Sequence, residues 1–206
     1  MKKLVLLLVC MFTMHTMVMA DNDKPIQVNQ LPAKAQTFLN TYFKDHKVAL
    51  AKQETELFYK SYDVVFTNGE KVEFDKAGEW TEVKCQQNEV PAQIIPETIR
   101  TYVKTNYPDT KIVQIEKDKK EYEVKLSNGT DIDFHASGDW KKVDCEYSFL
   151  PAGIVPQAIV DDLAERFPGA RISKAERERG GYKLTLGSGA EMIYAADGRF
   201  IRVEYD

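Results

Sequence analysis

Apolar and polar residues alternate along this chain in short runs, and the runs return at intervals of sixty residues. From Tyr122 to Cys145 the order is Tyr-Glu-Val-Lys-Leu, Ser-Asn-Gly, Thr-Asp-Ile-Asp-Phe, His-Ala-Ser-Gly-Asp-Trp, Lys-Lys-Val-Asp-Cys. Three alternating runs separated by two turns predict a β-meander. The same pattern spans Tyr62 to Cys85 and Tyr182 to Tyr205. Asn68-Gly69, Asn128-Gly129 and Ser188-Gly189 mark one turn, and Gly78, Gly138 and Gly198 the other. Asn-Gly favours a tight hairpin because both central residues tolerate positive φ.

Ahead of each meander the apolar spacing changes to three and four, the period of one helix face. Ala35, Phe38, Leu39, Tyr42 and Phe43 form the first such stripe, Ile99, Tyr102, Val103 and Tyr107 the second, and Ile159, Val160, Leu163 and Phe167 the third. Pro32, Pro96 and Pro156 stand at the expected first helical position, where a missing N–H costs nothing. Pro108 and Pro168 stop the second and third helices. A further strand follows each helix, over 48–53, 111–117 and 171–175. The predicted fold is α+β: three tandem α-β-β-β-β repeats over 31–89, 90–149 and 150–206, behind a loose leader over 21–30. A unit of this size is marginal alone. Stacking three into one antiparallel sheet, with the helices packed on one face, buries a continuous core.

Parity along the last strand of each unit carries the functional expectation. Val83, Val143 and Val203 have the parity of the helix-facing side. Trp80, Trp140 and Phe200 have the other, shared with charged neighbours such as Glu82 and Lys142. They are expected on the open side of the sheet, as partner-binding anchors. The alternative is that they fold over the turn and bury themselves. The first hairpin is longer than its counterparts and carries Leu57, Phe58 and Tyr59 at its tip, a second candidate contact, or else a segment that packs on the leader or on the neighbouring unit.

Residues 1–20 read as a secretory signal: Lys2 and Lys3, an apolar core beginning at Leu4, and Val18-Met19-Ala20 before Asp21. The core is too short to span a bilayer. Lipid attachment at Cys10 is the rival reading, and Val9 stands where it requires a small residue. Cleavage near Ala20 makes the product periplasmic or secreted and not membrane-spanning. Without Lys2 and Lys3 the chain has 26 basic against 32 acidic residues, a net charge of −6. With no basic stripe, nucleic acid is excluded as a partner class.

The catalytic inventory is small. His46 and His135 stand at element ends, and no Gly-x-Ser-x-Gly, His-Glu-x-x-His or phosphate-cradling loop is present. Glu73, Asp75, Asp131, Asp133, Glu191 and Asp197 are scattered over three units, short of the six to eight oxygens calcium takes. No catalytic residue, metal ligand or cofactor is expected, with surface calcium as the one possibility left open. Cys85 and Cys145 are repeat equivalents, about four strands or ~19 Å apart in a side-by-side array, too far for a disulfide. Two sheltered free thiols are expected.

The proline-led helix, the Tyr-x-Val-x-Leu run, the Asn-Gly turn and the Phe-Asp-x-x-Gly-x-Trp segment resemble the PepSY-like family of exported bacterial proteins. That family is similar in fold to the β-lactamase-inhibitor protein. The resemblance runs from Leu31 to Asp206. His135 and Ala195 depart from the acid at Asp75, Phe200 departs from tryptophan, and the inhibitor has two units rather than three. The resemblance implies a non-enzymatic protein that docks a protein or peptide in an inhibitor-like way, or an envelope sensor of a small ligand or calcium.

Overall fold

A computed structural model describes residues 23–56, 59–86 and 88–204. It contains three α-helices and thirteen strands in one antiparallel sheet, each strand pairing with its neighbours in sequence order. β1 (Lys24–Ile26) is followed by α1 (Ala33–Tyr42), β2 (Val48–Glu56), β3 (Tyr59–Phe66), β4 (Lys71–Asp75) and β5 (Trp80–Lys84). Next come α2 (Glu97–Asn106), β6 (Ile112–Lys117), β7 (Glu121–Leu126), β8 (Thr130–His135) and β9 (Trp140–Cys145). The last set is α3 (Gln157–Arg166), β10 (Ile172–Glu178), β11 (Gly181–Leu186), β12 (Glu191–Ala195) and β13 (Phe200–Glu204).

One apolar row crosses every strand. Ile26 faces Ala51, which faces Val64, then Val72, Val83, Ile115, Val124, Ile132, Val143, Ala175, Leu184, Met192 and Val203. Directly opposed residues share a face, so register carries the row from edge to edge. All but the terminal Ile26 and Val203 are buried. Each fully buried Val, Leu or Ile contributes about 1.5–3 kcal/mol. The three helices cover this same face. Phe38 of α1 meets Phe74 edge-on at 5.6 Å, Tyr102 of α2 meets Phe134 at 5.3 Å, and the Tyr194 hydroxyl donates to Asp162 of α3 at 3.1 Å.

Each helix starts one residue after its proline. Pro32, Pro96 and Pro156 are therefore caps in extended conformation, not first helical residues. The leader also departs from expectation. Lys24–Ile26 is a strand on the edge of β2, because Ile26 completes the apolar row beside Ala51. The first turn of each meander is a three-residue loop in which only glycine has positive φ, at Gly69, Gly129 and Gly189. Asn68 and Asn128 instead accept hydrogen bonds from the main chain two residues on. That is a type I turn with a glycine bulge, not the expected two-residue turn. Among the described residues no helix is long and apolar enough to cross a membrane.

Candidate binding face

The face opposite the helices has a row of its own. Lys52 faces Asp63, followed in register by Glu73, Glu82, Glu116, Glu123, Asp133 and Lys142. Six carboxylates thus stand side by side on β3 to β8, at the strand spacing of about 4.8 Å. Lysines neutralise the first two. Lys71 Nζ lies 2.9 Å from Asp63 and also binds Glu73, and Lys52 reaches Asp63 at 3.5 Å. Among the described residues Glu82, Glu116, Glu123 and Asp133 form no ion pair with any lysine or arginine. One register step away, Lys125 is engaged by Asp131 at 3.3 Å. Gln114 donates from Nε2 to Glu82 at 2.5 Å. A shallow depression of about 280 Å³ follows this stretch, lined by Gln114, Glu116, Glu123, Asp131, Asp133 and Lys142. Farther on, the face is balanced: Lys174 pairs with Glu176 at 2.5 Å and Lys183 with Glu191 at 2.7 Å.

Burial, and after it the crowding of like charges, shifts the protons. Partial burial, together with a hydrogen bond and repulsion from Glu73, pushes the Glu82 carboxyl up to about 7. At Glu73 burial acts upward too, but hydrogen bonds from Lys71 and Glu82 outweigh it and hold the group below its usual range. Glu123 is raised by burial and then by Asp133, Glu116 and Glu121. Asp133 is raised by burial, against the pull of Lys142 and Lys141. The face therefore presents negative charge that its own cations do not satisfy.

The aromatic residues expected on this face are on the other. Trp80 lies directly opposite Phe74, Trp140 opposite Phe134 and Phe200 opposite Tyr194. A β-bulge sits in each last strand between the aromatic residue and the charged one two places on. It adds one residue, so Trp80 and Val83 share the helix face although they differ in parity. Trp140 is buried, 5% exposed, with Arg177 over its ring at 4.0 Å and Tyr182 beside it. Trp80 is half-buried between Phe38 and Lys117, whose Nζ stands 4.0 Å from the ring centroid. Phe200, also half-buried, lies under Arg166 at 4.7 Å. Cations supplied by β6 and β10 thus seal Trp80 and Trp140 at the two places where one set of strands meets the next. Of the hairpin tip, Leu57 and Phe58 lie outside the described residues, and Tyr59 opens β3 with 54% exposure, on neither the carboxylate row nor an aromatic cluster.

Sequence reasoning missed the carboxylate row. The parity of Glu82 and Lys142 was readable, but alignment of acids from six strands depends on register across the β5–β6 junction, which no local pattern encodes. Its one signal was the opposite parity of Glu116, Glu123 and Asp133 to their apolar neighbours.

Other chemistry is sparse. Cys85, just beyond β5, and Cys145, at the end of β9, are buried free thiols. Burial, aided by Glu70, pushes the Cys85 thiol up to about 12. Cys145 is raised by burial, against hydrogen bonds from Thr130, Tyr107 and Ser148. His46 Nε2 lies 3.1 Å from the buried Glu70, which accepts from Asn88 at 2.7 Å, so this histidine sits beside the buried carboxylate. Among the described residues no three His, Cys, Asp or Glu side chains converge in a group able to hold a metal ion.

The fold belongs to a recognisable class. A family model described as "Putative beta-lactamase-inhibitor-like, PepSY-like" matches the chain twice, over residues 60–135 and 120–202. The chain is a member of the PepSY-like family. It is similar to a solved "putative calcium-regulated periplasmic protein" from Bacteroides thetaiotaomicron, at 57% identity and a TM-score of 0.60, over 61% of this chain and 98% of that one. A "putative periplasmic protein" from Bacteroides vulgatus aligns at 59% identity and a TM-score of 0.59, over 61% of this chain and 98% of its own. A second protein from that organism, of unknown function, aligns at 40% identity and a TM-score of 0.57, over 59% and 98%. No curated protein sequence matches the chain.

Proposed function

We propose that this protein is an exported, periplasmic, non-enzymatic binding module. It is built from three tandem units of the inhibitor-like type and docks a protein or peptide on the open face of its sheet. The observation that carries the proposal is the run of Glu116, Glu123 and Asp133, three adjacent carboxylates with no ion-pair partner among the described residues. Charge left unsatisfied by the chain selects a partner that brings lysine or arginine. The periplasmic assignment follows the solved relatives and the signal-like start of the chain. The aromatic residues Trp80, Trp140 and Phe200 have a packing role in this reading, and no cofactor takes part.

The test is comparative capture from a periplasmic extract. Wild-type protein is set beside the Glu116→Gln, Glu123→Gln, Asp133→Asn triple variant at low and high salt. The proposal expects a basic partner held by the wild type and lost in both the variant and high salt. A partner held equally by both proteins refutes it. A second reading, a calcium sensor, is favoured by the description of the Bacteroides thetaiotaomicron structure. It expects calcium at sub-millimolar concentration to shift the melting temperature of the wild type and not of the triple variant.

A further inference from the structure

The two edges of the sheet differ. β1 is three residues long and contains Pro25, which has no N–H to offer, beside Lys24. Such an edge is blunted against further pairing. β13 has no proline and, among the described residues, pairs with β12 alone. Its register fixes which main-chain groups face outward. In the equivalent β5, the Cys85 N–H donates to the Val113 carbonyl at 2.7 Å, so alternate residues, Cys85 and Val83, direct their main-chain groups to β6. Val203 faces Met192 as Val83 faces Val72, and the turns before both strands carry the same hydrogen bonds. Val203 therefore points its N–H and C=O away from β12.

Internal junctions show what such an edge accepts. Where β9 meets β10, Lys142-Val143-Asp144 lies antiparallel to Lys174-Ala175-Glu176. Lys142 faces Glu176, Asp144 faces Lys174, and the apolar pair Val143 and Ala175 lies between them. Both strands read cation, apolar, anion. β13 reads Arg202-Val203-Glu204, the same order. A strand of that order is complementary to an antiparallel copy of itself.

We propose that a second copy of this chain pairs with β13 edge to edge, with Val203 opposite Val203 about a two-fold axis normal to the sheet. Each Val203 N–H then donates to the opposite Val203 carbonyl. Arg202 meets Glu204 of the second copy, twice by symmetry. In the single chain Arg202 instead turns to its own Glu204, with Nε at 3.0 Å. The pairing spans three residues, the length used at both internal junctions. It also closes an apolar opening. Val203, Met192 and Phe167 border a cavity of about 520 Å³ at this end of the helix face, and the second Val203 arrives on that same face. The two open faces join into one surface, as isologous pairing requires.

Sedimentation equilibrium on the purified protein over a wide concentration range tests this. Wild type should dimerise. Arg202→Glu alone, or Glu204→Arg alone, sets like charges opposite each other twice and should raise the dimer dissociation constant about tenfold or more. The double variant restores opposite charges in swapped positions and should recover the wild-type constant. Arg202 is exposed, so folding is preserved, and a thermal melt verifies it. A wild type that stays monomeric throughout overturns the proposal. So does a dimer indifferent to the single reversals, which would place the contact on another surface.

Discussion

Glu82 faces Glu73 across the β4–β5 pair, and one carboxyl hydrogen-bonds to the other on the open face of the sheet. Two adjacent carboxyls in partly buried surroundings cannot both ionise without cost, and Glu82 retains its proton up to about pH 7. Its folded value is raised above the unfolded one, so the native state binds more protons between about 4.5 and 7. Stability is highest below that window and falls as pH rises through it. Glu82→Gln removes this group's share of the dependence. Allowing for solvent screening of a half-exposed group, the variant should be about 1 kcal/mol more stable than wild type at pH 8. At pH 4 the two should be equal. Thermal melts of both proteins across this range check it.

Trp140 belongs to the core. Trp140→Ala should cost about 3–5 kcal/mol in denaturant unfolding, the usual loss for a large buried aromatic residue. Trp80→Ala, at a half-buried site, should cost less.

Gly138 and Gly189 both have positive φ, at +89° and +90°. They separate two effects. A Cβ on Gly138 would stand 2.1 Å from the Thr98 Oγ1 on α2, whereas one on Gly189 meets nothing within 4 Å. Gly189→Ala should cost about 1–2 kcal/mol from backbone conformation alone. Gly138→Ala should cost clearly more, because α2 must also move away from the turn. Chemical denaturation of the two variants measures the difference.

Cys85 and Cys145 should resist a thiol reagent at pH 8 in the native protein, since burial holds both thiols well above that pH. Both should react rapidly once denaturant is added. A kinetic trace of thiol release checks it.

Periodicity made much of the architecture readable. The stripe Ile99, Tyr102, Val103 locates α2 because a helix face repeats every three to four residues, and Tyr122, Val124, Leu126 locates β7 because a strand repeats every two. Parity failed at Trp80. A bulge adds one residue and reverses the side on which the aromatic residue lies, and nothing in Trp-Thr-Glu-Val announces it. Ile26 failed differently: a three-residue edge strand is too short to show a period, and only the unfinished row at Ala51 explains it. The carboxylate row was hidden longest, because Glu82 and Glu116 become neighbours through a junction that spans the whole of α2.

The central claim, that the open face binds through its unpaired carboxylates, is tested most directly by fluorescence anisotropy with a labelled oligolysine peptide. Wild type, the Glu116→Gln, Glu123→Gln, Asp133→Asn variant and Trp80→Ala are titrated at two salt concentrations. Binding by wild type and Trp80→Ala that weakens with salt, and at least about a tenfold loss in the carboxylate variant, is the predicted result. Equal binding by the carboxylate variant, or loss in Trp80→Ala alone, would contradict it and return the site to the helix face.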